Sequence, residues 1–282
     1  MMMRDDLIKS YVTPMSPQPT GLSPAGRITG TIECILFDIY GTLFISGAGD
    51  ISMARQASPQ ISKLKKLIAK FEIDVAPRIL IEKLRRDIEA RHQQLMQAGI
   101  DIPEIEIDII WQDLLAFNDI EQARNFAIEY ELIANPVYPM PNLAKLLRAC
   151  QQQNCRMGLI SNAQFFTPLL FEWFLGADAA SLGFSPQLII LSYQTGYAKP
   201  SPVLFETAAA EIEDGGIARS STLVVGNDML NDIYPAKRTG FQTALFAGDA
   251  RSLRLRKADP RCRHLSADLI VTDLEQLIGH IT

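Results

Sequence analysis

The chain has 282 residues, 48% of them apolar, and a net charge of −5 with the histidines neutral. That length and apolar content can bury a sizeable core, as one large domain or one domain with a smaller one inserted. The acidic balance argues against a nucleic-acid partner, which would draw on a basic surface.

The N-terminal stretch MMMRDDLIKS carries acids where a signal peptide would need an apolar core. No apolar run reaches membrane-spanning length. The four cysteines, Cys34, Cys150, Cys155 and Cys262, form no C-x-x-C pair. A disulfide framework and a zinc site are therefore not expected, and a reducing compartment fits. These features describe a soluble cytoplasmic protein without a membrane partner. Oligomeric state is not readable from them.

Residues 1–30 contain YVTPMSPQPTGLSPAGR, rich in Pro, Ser, Gly and Thr and without periodicity, so a flexible N-terminal segment is expected. TIECILFD (31–38) then reads as a short buried strand. Similar runs recur as CRMGLIS (155–161), QLIILS (187–192), STLVVG (221–226), QTALFA (242–247) and DLIVT (268–272). Helical patterns separate them: PNLAKLLRACQQQ, PVLFETAAAEI and NDIYPAKRTG. Strands alternating with helices imply an α/β fold, a doubly wound parallel sheet with helices on both faces.

The region 51–135 differs. Ile61, Leu64, Ile68 and Phe71, then Leu80, Leu84 and Ile88, then Ile110, Trp111, Leu114 and Leu115 recur at helical spacing. The expected organisation is a catalytic core of residues 31–50 and 136–282 interrupted by a small helical domain at 51–135. NPVYPMP (135–141) marks the return to the core, since each proline restrains the backbone around it. The basic run RSLRLRK (251–257) reads as the polar face of a surface helix.

Four sites lie at carboxyl ends of predicted strands, where such sheets bind ligands. Asp38 follows the first strand, in DIYGT. Ser161 and Asn162 end the second. Lys199 lies in the loop after the third, in YAKPSP. Asn227, Asp228, Asn231 and Asp232 follow the fourth, in VVGNDMLND. Each alone has a plain structural explanation, as a turn former or a helix cap. Together they would place three carboxylates, an ammonium, and hydroxyl and amide donors in one crevice, where charges need pairing or a metal. An aspartate nucleophile would be held ionised by Lys199 or a cation. Asp38, Asp228 and the carbonyl of Tyr40 offer hard oxygen ligands for Mg²⁺. Thr42 and Ser161 would orient substrate oxygens or the nucleophile.

The ordered set D-x-x-x-T, S-N, K-P and G-N-D-x-x-x-D, from Asp38 to Asp232, resembles the four motifs of the haloacid dehalogenase superfamily, from about residue 32 to the end of the chain. The resemblance implies a Rossmann-like core, a covalent aspartyl-enzyme intermediate, and a helical cap over a small-molecule substrate. TLFISGAGD (42–50) matches the place of the family's hairpin flap. Asp38 matches the nucleophile, Ser161 the hydroxyl after the second strand, Lys199 the charge-balancing lysine, and Asp228 and Asp232 the acids of the last motif.

Two departures bear on the reaction. Where the family's phosphatases carry an acid two residues after the nucleophile, this chain has Tyr40. Asn227 takes the place directly after the glycine and Asp228 comes one later. D-x-Y-G-T resembles the L-2-haloacid dehalogenase branch, in which a halide leaves as a stable anion and needs no proton donor. That branch's later tyrosine and asparagine fall here at Phe205 and Met229, and its cap arginine has Arg55, Arg78, Arg85, Arg86 and Arg91 as candidates. Three readings stay open: a Mg²⁺-dependent phosphatase acting on a small phosphorylated metabolite, a metal-independent dehalogenase, and a binding or regulatory protein on the same fold. The acids at 228 and 232 favour the first. The three histidines, His92, His264 and His280, lie far from every motif, so a Ser-His-Asp triad is not expected.

Overall fold

In the computed structural model, residues 8, 10–49 and 60–281 are described. Nine strands form two sheets among them. They are β1 (Ala25–Gly26), β2 (Cys34–Phe37), β3 (Phe44–Ser46), β4 (Val137–Pro139), β5 (Arg156–Ser161), β6 (Phe184–Leu191), β7 (Thr222–Gly226), β8 (Gln242–Phe246) and β9 (Leu269–Val271). The large sheet has the order β1-β9-β8-β7-β2-β5-β6, parallel except for the antiparallel edge strand β1. Every predicted strand is present within a few residues.

β2 sits between β5 and β7, with all four of its residues buried. Its side chains alternate between two cores, as a period of two requires. Cys34 and Leu36 pack with Leu204, Phe205, Ala208 and Ala236, while Ile35 and Phe37 belong to a larger cluster on the opposite face. Covered on both faces, the strand reads as an unbroken apolar run rather than an alternating one. The helices α5 (Leu143–Gln152), α7 (Val203–Asp214) and α8 (Tyr234–Thr239) fall where the apolar periodicity puts them; α6 (Leu169–Leu175) lies between β5 and β6.

The insertion is helical, with α1 (Ile61–Lys70), α2 (Pro77–Gln97), α3 (Ile107–Leu115) and α4 (Ile120–Ala134). Proline opens α2, where its missing N–H costs nothing. The Asp119 side chain accepts the Glu121 N–H to cap α4. Trp111 lies at the centre of this small domain, its ring 4.8 Å from those of both Phe126 and Tyr130. The strand leaving the core, β3, pairs antiparallel with the returning β4. The expected flap at 42–50 is thus one half of a ribbon whose other half, Val137–Pro139, follows the helical insertion, not a hairpin closed on itself; Asp50 lies outside the described residues. Ser46 Oγ and the Ala48 N–H both donate to Asn135 Oδ1, tying the two crossing points together.

The helical domain is also fastened to the core through the segment between α2 and α3. The Ala198 N–H donates to the Ile102 carbonyl at 2.8 Å, and the Glu104 N–H to the Gly196 carbonyl at 3.0 Å. The Glu104 carboxylate accepts the Ser192 hydroxyl at 2.7 Å, and Gln164 bonds both the Ile105 carbonyl and the Ile107 N–H. These bonds bear on residues 192–198, directly before Lys199.

Two expectations need correction. The N-terminal segment, where described, is bound along the molecule rather than flexible. Tyr11 donates to Glu129 of α4, Thr20 to the Ala247 carbonyl, and the Gln18 N–H to Asp249, while Ala25–Gly26 adds the edge strand β1. Its prolines and small residues suit an extended segment that finds partners outside itself, which periodicity does not register. The run 251–257 is a loop, not a helix. Its arginines bond inward, Arg251 to Asp249 and Arg254 to the carbonyls of Arg251 and Leu253.

Replacing the central aromatic of the helical domain, Trp111→Ala, is expected to cost about 3–5 kcal/mol through lost burial and an unfilled cavity. Urea unfolding followed by circular dichroism measures it.

Candidate active site

Asp38 lies one residue beyond β2, Ser161 is the last residue of β5 and Gly226 the last of β7. In the ladder register Phe37 is level with Leu159 and Val225, and the Asp38 N–H continues the ladder to the Val225 carbonyl at 2.9 Å. The three strand ends therefore finish at nearly the same height, and their first loop residues face one crevice. Gly41 turns the chain after Asp38 with φ +84°, and a side chain there would collide with Asn227 and Ser252. At Gly226 a Cβ would overlap the Asp232 carboxylate, so only glycine lets that acid tuck beneath the strand end.

The centre of the site is a buried ion triad. Lys199 Nζ donates to Asp38 Oδ1 at 2.7 Å, to Asp232 Oδ1 at 2.5 Å and to the Ile160 carbonyl at 3.2 Å. Lys199 is 5% exposed and Asp232 2%. Burial alone would lower the Lys199 ammonium, but the negative charges of Asp232 and Asp38 outweigh it and hold the group raised and protonated. Burial pushes the Asp232 carboxyl up to about 7; Lys199 pulls the other way, and Asp38 and Asp228 add to the rise.

Asp38 is held at both oxygens. Oδ1 also accepts the Ser161 hydroxyl at 3.0 Å, and Oδ2 accepts the Thr42 hydroxyl at 3.2 Å. Asn162 serves the lysine: its Oδ1 accepts the Lys199 N–H at 2.7 Å, and its amide nitrogen donates weakly to the Lys199 carbonyl. The second oxygen of Asp232 accepts the Asp228 N–H at 2.9 Å. The Asn227 amide donates to the Ser252 carbonyl at 2.9 Å. Tyr40 is buried, with its hydroxyl 3.1 Å from that of Thr167. Asp38, Tyr40, Asn162, Lys199, Asn227, Asp228, Asn231 and Asp232 line one narrow cavity of about 20 Å³. Every strand-end residue expected at the site is thus at it or bonded to a residue that is.

One participant had no signal as a site residue. Arg256 donates Nε to Asp228 Oδ1 at 3.1 Å and to Oδ2 at 3.0 Å, and Nη2 to Oδ2 at 2.5 Å. The loop that carries it runs beside the last motif: the Arg254 N–H donates to the Asn227 carbonyl and the Met229 N–H to the Arg254 carbonyl. Nothing in the spacing of RSLRLRK distinguishes the arginine that faces inward. Asp228 Oδ1 also accepts the N–H groups of Leu230 and Asn231, capping a π-helical turn at Met229–Ile233.

Among the described residues no three His, Cys, Asp or Glu side chains group to hold a metal ion. The cavity lining includes the carboxylates of Asp38 and Asp228 and the residue Tyr40, and carboxylate and carbonyl oxygens are the hard donors that fit Mg²⁺ held partly by water and substrate. Both oxygens of Asp228 already accept bonds from Arg256.

The dehalogenase features are placed as follows. Arg78, Arg85, Arg86 and Arg91 are all exposed along α2, and none lines the cavity; Arg55 lies outside the described residues. Phe205 is buried in the core beneath the sheet and Met229 packs against Ile233, Leu245 and Cys262.

The profile of the haloacid dehalogenase-like hydrolases matches residues 32–240, and the chain belongs to that family. A human phospholysine phosphohistidine inorganic pyrophosphate phosphatase is 21% identical over 91% of this chain and 97% of its own length. In fold the chain is similar to a HAD phosphatase from Thermococcus onnurineus (TM-score 0.52, 16% identity, 88% of this chain and 97% of that one). It is as similar to a 2-haloacid dehalogenase from Pseudomonas syringae pv. Tomato DC3000 (TM-score 0.51, 17% identity, 89% and 98%). Both reactions thus occur on this fold, and the choice between them rests on the site.

Lys199→Met is expected to destabilise the protein by about 3–5 kcal/mol, because it leaves two buried carboxylates without their shared cation. Urea midpoints at neutral pH measure this, and a variant as stable as the parent would show the triad to be energetically idle.

Proposed function

We propose that this protein is a Mg²⁺-dependent phosphohydrolase in which Asp38 attacks phosphorus on a small phosphorylated molecule. The observation that carries the reading is the acid-rich wall facing Asp38, where Asp228 and Asp232 line the same cavity as the nucleophile and Lys199. Three carboxylates around one narrow cavity would repel a phosphate unless cations offset them, whereas displacement of a halide from carbon needs no such wall. The position of the α2 arginines outside the cavity supports the same choice.

In the first step an Asp38 oxygen forms a bond to phosphorus while the bond to the leaving group breaks. In the second, water attacks phosphorus and returns the carboxylate. Thr42 and Ser161 orient the two Asp38 oxygens. Lys199 keeps Asp38 ionised and offsets charge on the phosphoryl oxygens. Asp38, the Tyr40 carbonyl and Asp228 would hold Mg²⁺, which supplies positive charge to the phosphoryl group. Asn162 positions Lys199, and Asn227 holds the 249–256 loop against the site.

Position 40 supplies no acid, and the Tyr40 hydroxyl is engaged with Thr167. Leaving groups that depart without strong protonation are therefore favoured: phenolates, the carboxylates of acyl phosphates and the phosphates of phosphoanhydrides. The human relative's name includes pyrophosphate, a phosphoanhydride, which supports this class. Four free, buried cysteines accord with a reducing, cytoplasmic setting.

The test is hydrolysis of paired substrates with and without Mg²⁺. Nitrophenyl phosphate or acetyl phosphate is expected to turn over roughly 10²- to 10⁴-fold faster than an alkyl phosphate, the size of a missing general acid. Chloride release from 2-chloropropionate without metal would establish the dehalogenase reading instead, which Tyr40 favours. Silence with every substrate would point to a binding or regulatory role. Asp38→Asn is expected to abolish turnover, because an amide is a poor nucleophile; a folded Asp38→Asn protein with full activity would overturn the mechanism.

A further inference from the structure

Asp228 has two oxygens with different duties. Oδ1 caps the π-helical turn by accepting the N–H groups of Leu230 and Asn231 at 2.8 and 3.2 Å. Oδ2 receives the shorter pair of guanidinium bonds, at 3.0 and 2.5 Å. The carboxylate is 4% exposed, whereas the Arg256 side chain is 37% exposed. The anion is therefore fixed in the wall of the site, and its cation stands at the border with solvent. Arg256 also has a left-handed backbone, φ +49°, a conformation a non-glycine residue adopts only when its surroundings hold it there.

The charges fit one exchange. The site holds the carboxylates of Asp38, Asp228 and Asp232 against the cations of Lys199 and Arg256. Lys199 is buried and spans two of the acids. Arg256 pairs with Asp228 from the solvent side, with its side chain 37% exposed. Its guanidinium occupies the one Asp228 oxygen that is not committed to capping.

We propose that Arg256 and a divalent cation compete for Asp228 Oδ2. Arg256 is a built-in counter-ion that keeps the acid wall neutralised without metal, and it leaves toward solvent as the cation enters. This rests on the reading of the site as a metal-dependent one. Its consequence is that apparent metal affinity is set by the strength of the arginine clamp as well as by the ligands, and that the loop 249–256 moves with metal occupancy.

The experiment is calorimetric titration of the full-length protein with Mg²⁺, repeated with Mn²⁺ by electron paramagnetic resonance. The variants are Arg256→Gln, Arg256→Gly, which suits the left-handed backbone, and Arg261→Gln as a control. Arg261 is an exposed arginine paired with Asp259. Loss of the charge-assisted clamp is expected to tighten metal binding by roughly tenfold or more. It should also increase the rise in melting temperature that metal produces, with Arg261→Gln matching the parent. Equal or weaker binding by folded Arg256 variants, with metal still bound by the parent, would overturn the competition and leave Arg256 as a prop that positions Asp228. Absence of binding to parent and variants alike would overturn the metal-dependent reading itself, and the competition with it.

Discussion

The site depends on one ammonium placed between two carboxylates in the interior. Lys199 joins Asp38 at the end of β2 to Asp232 below the end of β7. Buried charges of this kind are tolerated only when geometry and hydrogen bonding repay their desolvation. The surroundings supply both. The parallel register brings β2, β5 and β7 to the same height, Asn162 holds the lysine's backbone, and Gly226 leaves room for the acid. The segment between α2 and α3 braces residues 192–198 from the other side. The Asp38 carboxylate, held at both oxygens by Ser161, Thr42 and Lys199, has one fixed orientation, and such fixed geometry is where much of an active site's advantage lies.

Charge balance extends this logic outward. The third carboxylate, Asp228, lies beyond the reach of the lysine's bonds and takes its cation from Arg256 on a neighbouring loop. The inner pair is enclosed and permanent in character, while the outer pair borders solvent. The helical domain connects to the core close to the site: the ribbon β3–β4 begins two residues after Thr42.

Much of this was legible in the chain. Buried parallel strands are continuous apolar runs, and the polar residues at their ends stand out against them. The order Asp38, Ser161, Lys199, Asp228 and Asp232 is local information, each residue following its own strand. The helical insertion announced itself by periodicity, and Leu64, Leu80, Leu84, Ile88 and Trp111 are all buried within it. What local pattern could not supply was partnership. Residues 11–26 read as a free tail because the partners of Tyr11, Gln18, Thr20 and Ala25–Gly26, at 129, 247, 249 and 269–270, are more than a hundred residues away.

The sequence by itself determined the α/β class, the inserted helices and the set of groups that meet at the strand ends, because hydrophobic period and strand-end position are properties of short segments. Only the tertiary structure decided how those groups divide the work. Asn162 turned out to hold the lysine loop, Tyr40 to spend its hydroxyl on Thr167, and one arginine of RSLRLRK to close on Asp228. Charge pairing in a buried site is settled by distances between segments far apart in the chain. A basic run carries the same composition whether its arginines face water or a carboxylate.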